Sequence, residues 1–330
     1  MKKKLLAMLV CIAMLFALAA CSSESAGDAS DPPAEDSSAP VEESPAEAAG
    51  ELTTIGVSFM KTGAFMNKLF EGMQDACSEH NIKLIDYYAE NDIETQVNQV
   101  DDLIQQEVDA LIIMPADTTG ITPALLAADE ADIPVVSIDS ECLRGDLTIA
   151  YVASDNYEAG ALAADDFLAR MPDGAKIVAL TAPEIECCVQ RYNGFFDKVK
   201  AAGDKYEIVA EQSTEALMDN ALSVMENICQ AYEFDCVFAV NDGSALGAIA
   251  ALQSADIEGT LIYSVDGEQA CMDYLPSGWA TGNSAQDPYS MGYQAAEILI
   301  KHFNGESYEY ENLLPVNFVT AENYSEFTGF

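Results

Sequence analysis

From Leu52 onward the chain alternates two hydrophobic patterns. Short, mostly apolar runs rich in β-formers occupy 54–59, 83–88, 110–114 and 134–138, and again 175–180, 207–210, 236–240 and 261–265. Such runs predict strands, several of them buried on both faces. Between them, apolar residues recur at helical spacing. Ile93, Val97, Val100, Ile104 and Val108 would share one helical face, as would Ala159, Leu162, Ala163 and Phe167, and Leu222, Met225 and Cys229. This alternation predicts an α/β protein whose parallel sheets carry helices on both sides. It runs in two blocks, so two doubly wound lobes are expected. Open parallel sheets bind ligands beyond the carboxyl ends of their strands. That rule selects residues 60–66, 115–120, 139–144, 182–191, 241–244 and 266–268.

Ahead of this body stands a different kind of chain. It opens Met1-Lys2-Lys3-Lys4 and is apolar from Leu5 to Ala20. The apolar run suits a signal-peptide core and is short for a membrane span. It ends Leu18-Ala19-Ala20-Cys21, which resembles the lipobox of bacterial lipoproteins. The resemblance implies removal of residues 1–20 and a lipid on the Cys21 thiol; the plainer alternative is an ordinary signal peptide with a chance Cys. Residues 22–50 hold eight acids, no base and almost nothing apolar. Such a segment cannot offset its own ordering entropy. Residues 21–50 are therefore expected to form a disordered tether behind a lipid anchor.

Composition narrows the field. Half of the residues are hydrophobic, enough for a sizeable core, and the formal charge is −42. Nucleic acid needs a basic footprint, so it is not an expected partner. Anionic lipid is disfavoured as a surface to lie on. The charge is read as solubility. Cys11 would leave with the leader and Cys21 would be lipidated. Cys77, Cys142, Cys187, Cys188, Cys229, Cys236 and Cys271 then remain, an odd number, so at least one thiol is unpaired or shared between chains. Most are expected to be small core residues, with Cys187-Cys188 on a loop facing the cleft. There is no C-x-x-C, and His80 and His302 are the only histidines. No metal is expected. No cofactor is expected either, since residues 60–64 fit neither G-x-G-x-x-G nor the phosphate-loop pattern.

Four runs carry a family resemblance. They are Ile133-Pro134-Val135-Val136-Ser137-Ile138-Asp139; Ala153-Ser154-Asp155-Asn156-Tyr157-Glu158-Ala159-Gly160; Val237-Phe238-Ala239-Val240-Asn241-Asp242 with Ala245-Leu246-Gly247-Ala248; and Val265-Asp266-Gly267. In this order and spacing they resemble the type I periplasmic binding protein family, and within it the ribose-binding-like branch. The likeness runs from Leu52 to about Val319. It implies two lobes joined by a three-segment hinge, with crossings near Ser154–Asp155, Ala285–Gln286 and Val316–Asn317. The lobes would be 51–154 plus 286–316, and 155–285 plus 317–330. It further implies a monomeric trap on the outer face of the cell membrane. The trap would close on a monosaccharide or similar polyol and present it to an ABC permease, without catalysis.

Position by position, the resemblance implies that Phe65 stacks on a sugar ring, with Met66 where a second aromatic often stands. Asp139 would bind hydroxyls, with Ser140 in place of the Arg that often follows. Arg191, Asn241, Asp266 and Gln286 align with ligand contacts. Met114 replaces an Asn near the third strand, and an aromatic expected near Ala216 is missing. The chemistry is coherent by itself. Carboxylates accept from hydroxyls, Asn and Gln do both, Arg donates in a planar fork, and an aromatic face packs C–H groups. Asp139, Asp266 and Arg191 nearly balance in charge, as suits a neutral ligand. Plainer roles exist for each: helix caps for Asp139, Asn241 and Asp266, a surface ion pair for Arg191, core packing for Phe65. Two other functions remain open at this point. One is a ligand-presenting partner of a membrane receptor or kinase. The other is a glycoside-processing enzyme using Asp139 and Asp266. Neither histidine falls in a cleft segment, so a Ser–His arrangement is not expected there.

Overall fold

The computed structural model describes residues 51–330. The expected signal peptide, tether and Cys21 anchor lie outside the described residues. In chain order the first elements are β1 (Thr54–Phe59), α1 (Ala64–Ser78), β2 (Lys83–Tyr88), α2 (Ile93–Gln105), β3 (Ala110–Ile113), α3 (Thr122–Glu130), β4 (Val135–Ile138) and β5 (Ala150–Ser154). There follow α4 (Asn156–Arg170), β6 (Ala175–Thr181), α5 (Glu186–Ala201), β7 (Tyr206–Ser213), α6 (Met218–Ala231), β8 (Cys236–Ala239), α7 (Asp242–Ser254), β9 (Leu261–Asp266) and α8 (Gln269–Met272). The last are β10 (Gly282–Ala285), α9 (Pro288–Phe303), β11 (Glu311–Leu314) and β12 (Asn317–Thr320).

The strands form two six-stranded sheets, ordered β2-β1-β3-β4-β5-β11 and β7-β6-β8-β9-β10-β12. Every pairing is parallel except that of β10 with β12. The two orders are the same doubly wound pattern used twice, with the direction of winding reversing beside β1 and beside β6. The central strands are apolar on both faces because helices cover both: β3 and β8 are buried at every position. On the first sheet α1 packs with α9 and α2 with α3; on the second α4 packs with α5 and α6 with α7.

Two helices are exchanged between the sheets. α4 follows β5 of the first sheet but packs on β9 and β10 of the second. α9 follows β10 of the second sheet but packs on β3, β4 and β5 of the first. Asp155 caps α4 by accepting from Glu158 N at 2.8 Å, and Asp287 caps α9 by accepting from Ser290 N at 3.0 Å. Each exchanged helix thus begins at a side-chain cap directly after the chain leaves a sheet. The third passage lies between β11 and β12, which belong to different sheets.

Local details depart from the hydrophobic pattern in three places. α2 ends at Gln105, so Val108 lies beyond it, and its buried face is Gln96, Val100 and Leu103. The buried Gln96 is polar for a reason. Its amide donates to Ser58 Oγ at 3.2 Å and to the Met114 carbonyl at 2.8 Å, and accepts from Ala116 N at 2.8 Å. It pins the ends of β1 and β3 together. Cys187-Cys188 is not on a loop but in the first turn of α5. β10 reads Gly-Asn-Ser-Ala and is invisible to an apolar-run criterion, yet every residue is buried. Its polar side chains donate internally, Asn283 Nδ2 to Asp242 and Ser264, Ser284 Oγ to the Ala159 carbonyl. Among the described residues no helix is long and apolar enough to cross a membrane.

Candidate functional site

The carboxyl ends of the strands in both sheets converge on one cavity of about 380 Å³. Phe65 and Met66 enter from the start of α1, Met114 from the end of β3 and Asp139 from the end of β4. From the second sheet come Arg191 on α5, Asn241 at the end of β8, Asp266 at the end of β9 and Gln286 after β10. Eight of the nine residues singled out in the sequence therefore line it. Ser140 does not. It is buried behind Asp139, its Oγ 3.5 Å from the Cys187 backbone nitrogen. Residues 115–120 and 141–144 also stay outside the lining.

Arg191 organises the second lobe's wall. Only 2% exposed, it donates from Nε to Asn156 Oδ1 at 2.8 Å, and from Nη1 to the Val240 carbonyl at 3.0 Å and to Asp266 Oδ1 at 2.8 Å. It is a buried ion pair within one lobe rather than a surface pair. Gln286 Nε2 donates to the same Asp266 oxygen at 2.9 Å. Beneath them, buried Asp242 accepts from Ser264 Oγ, Asn283 Nδ2, Gly267 N and Glu268 N. Burial and the charge of Asp266 raise the Asp242 carboxyl, and the bonds from Ser264 and Glu268 pull it back. Sequence reasoning missed Asp242, although its place two residues after Val240, at the head of α7, was the available signal.

The plainer role holds in part for Asn241. Its Oδ1 caps α7 by accepting from Ser244 N at 3.0 Å, and its Nδ2 donates to the Ala216 carbonyl at 3.1 Å. Asp139 caps no helix, while Asp266 Oδ2 accepts from Asp242 N, the first residue of α7, at 3.3 Å. Both hold backbone conformations on the positive side, φ 66° and 137°. Such strain costs on the order of 1–3 kcal/mol and collects at functional sites. Phe65 is 8% exposed and meets Phe330 edge-on, with ring centroids 5.5 Å apart.

Two buried acceptors of the cavity are unspent. Asp139 Oδ1 and Gln286 Oε1 have no hydrogen-bond partner among the described residues. On the donor side Arg191 Nη2 makes no hydrogen bond there either. Burial lifts the Asp139 carboxyl well above its usual range, with Cys187 adding to the rise and Arg191 opposing it. At the cavity edge Glu268 is pushed up to about 6 by burial and by Asp266, with Lys61 of the first lobe acting in the opposite sense. Cys187 and Cys188 line the cavity as expected of that pair, and Lys61, Glu268 and Leu217, which were not named as ligand contacts in the sequence, line it too.

A known domain matches this arrangement. The model of the periplasmic binding protein domain matches residues 55–307. The chain belongs to that family. Its members are binding proteins that work outside the cytoplasm. The chain is 31% identical over 272 residues to the ribose import binding protein of Bacillus subtilis, covering 82% of this chain and 88% of the relative. It is 29% identical over 274 residues to a xylitol-binding protein of Mycolicibacterium smegmatis, covering 82% of this chain and 77% of the relative. Among solved structures it superposes on an ABC transporter solute-binding protein of Bacillus halodurans with bound myo-inositol. The TM-score there is 0.77 at 25% identity, covering 85% of this chain and 98% of the other. The two-lobed α/β architecture is thus that of the family's sugar-binding members.

Proposed function

We propose that this protein captures a monosaccharide or similar polyol between its lobes and delivers it to an ABC importer. The observation that carries the reading is the pair of unspent buried acceptors, Asp139 Oδ1 and Gln286 Oε1, in an interlobe cavity of about 380 Å³. A buried acceptor without a partner costs free energy until a ligand donates to it. A ring bearing several hydroxyls supplies several donors and can accept from Arg191 Nη2. Phe65, Met66 and Met114 offer an apolar wall for C–H groups. The relatives' ligands, ribose, xylitol and myo-inositol, belong to the same chemical class.

In this reading the ligand contacts are Phe65, Asp139, Arg191, Asn241, Asp266 and Gln286, with Met66 and Met114 at the apolar side. The lobes are 51–154 plus 286–316, and 155–285 plus 317–330. The protein acts by binding and release, without turnover, as a monomer held to the outer face of the cell membrane through Cys21. The direct test is calorimetry of the purified protein against aldoses, ketoses and cyclitols. At least one should bind saturably, and Asp266→Ala should weaken it by about 30-fold or more, because a buried charged partner is removed. No binding across the panel would refute the reading. For the anchor, Cys21→Ala should abolish lipid labelling; unchanged labelling would remove Cys21 from that role.

A further inference from the structure

The charges around the cavity do not cancel in the way the sequence suggests. Four acids, Glu90, Asp139, Asp266 and Glu268, line it against two bases, Lys61 and Arg191. Arg191 sits 2.8 Å from Asp266 and is held there by Asn156 and the Val240 carbonyl. Its charge is therefore committed within the second lobe. Lys61 acts on Glu268 at the edge. Asp139 keeps no cation of its own. Its Oδ2 accepts a weak bond from the Cys187 thiol at 3.6 Å, its Oδ1 accepts nothing, and the side chain is 3% exposed.

A carboxylate in that position calls for a donor that also carries positive charge. A hydroxyl satisfies the oxygen but leaves the buried charge uncompensated, and burying an unpaired charge is costly. An ammonium group satisfies both needs at once, because a hydrogen bond between ionised partners is about twice as strong as a neutral one. Gln286 Oε1 is a second unspent acceptor on the same cavity. The inner wall is thus richer in acceptors than in donors, which again matches a donor-only group.

We infer that the preferred ligand is an amino sugar or aminocyclitol, a polyol in which a protonated amine takes the place of one hydroxyl and pairs with Asp139. This rests on the polyol reading of the cavity and narrows it. The groups facing Asp139 are consistent with the assignment. They are Cys187 and Arg191 from α5, Asp266 from β9, and the Tyr151 hydroxyl from β5, which donates to the Asp139 carbonyl at 3.3 Å. Of these, Arg191 is the sole cation, and it already serves Asp266. Burial also raises the carboxyl in the unliganded cleft, so a cationic ligand would draw it back to the ionised form.

The test uses matched pairs on the purified protein: glucosamine against glucose, galactosamine against galactose, mannosamine against mannose, and 1-amino-1-deoxy-scyllo-inositol against scyllo-inositol. Calorimetry should find at least one amine bound about tenfold or more tighter than its hydroxyl counterpart. That preference should fade above the pKa of the amine, while the affinity for the neutral partner should not follow it. The isosteric Asp139→Asn variant should lose most of the preference, bringing the pair within about threefold of each other. Neutral members binding as tightly as the amines, or tighter, would overturn this inference and leave the polyol reading intact. Binding of neither series would overturn this inference, and would overturn both if no aldose, ketose or cyclitol of the wider panel binds either. A preference that survives unchanged in Asp139→Asn would assign the amine to another acid and remove Asp139 from this role.

Discussion

Asp139 carries two costs at once, a left-handed backbone at φ 66° and a buried carboxylate oxygen without a partner. Its pKa in the folded chain is raised by burial, so the folded state holds a proton that the unfolded chain releases at lower pH. Folding stability from this group is therefore complete at acid pH, and is lost as pH rises from the ordinary carboxylate range through the raised folded value. Asn has nearly the same shape and no charge. Asp139→Asn should accordingly stabilise the unliganded protein by about 1–3 kcal/mol near neutral pH, and by much less near about pH 4. Melting curves of both proteins at two pH values measure this. A variant that melts lower at neutral pH, with native circular dichroism, would mean that the carboxylate is satisfied in solution. The site was readable in the sequence where chemistry and strand ends coincide: Asp139, Asp266 and Arg191 all line the cavity. What escaped was commitment. Only the structure shows that Arg191 is spent on Asp266 and that Asn241 is spent on the head of α7.

Each pair of covering helices that includes an exchanged helix meets through glycines. A Cβ on Gly194 of α5 would lie 1.9 Å from the Tyr157 carbonyl oxygen of α4, and one on Gly160 would lie 1.9 Å from that of Arg191. On the other lobe, Gly72 of α1 and Gly292 of α9 face the Tyr289 and Leu69 carbonyls at 2.0 and 1.9 Å. Backbone meets backbone at these points, with no flexible side chain to give way. Gly194→Ala must therefore move α5 away from α4, which separates Arg191 from its Asn156 partner. The variant should lose about 1–3 kcal/mol or more in urea unfolding, and should bind the ligand less tightly as well. Unchanged stability would mean that the two helices slide apart without cost. α4 was foreseeable from its apolar spacing, but α5 and the closeness of its contact with α4 were not. The same limit applies to α2, whose buried face turns on a glutamine. A hydrophobic pattern registers where side chains avoid water, and is blind to polar groups that are buried because they bond to one another.

The lobes touch across the cavity as well as through the three passages of chain. Cys187 of the second lobe reaches Asp139 of the first, and Phe330 packs edge-on against Phe65. The segment carrying Phe330 is tied to the second lobe: its carbonyl accepts from Gln269 N at 3.1 Å, and its nitrogen donates to the Gly267 carbonyl at 3.4 Å. Opening would break the thiol and aromatic contacts but no strand pairing, because no sheet spans the lobes. Closure is accordingly expected to be a rigid-body step, and a ligand that contacts both walls should shift it by its differential affinity. Two lobes with reversed winding at matched places were foreseeable from the repeated alternation, whereas the Phe65–Phe330 contact joins residues far apart in sequence and leaves no local sign. Removing that ring should favour the open form. Phe330→Ala should weaken ligand binding by a few-fold, since an aromatic pair contributes about 0.5–1.5 kcal/mol. X-ray scattering gives the decisive comparison. Saturating ligand should shrink the radius of gyration of the original chain, and melting temperature should climb with ligand concentration. Phe330→Ala should start from a larger radius and reach the same closed value at higher ligand concentration. If the original chain is saturated, as judged by calorimetry, and its radius does not change, the lobes do not move and the binding cycle needs another account.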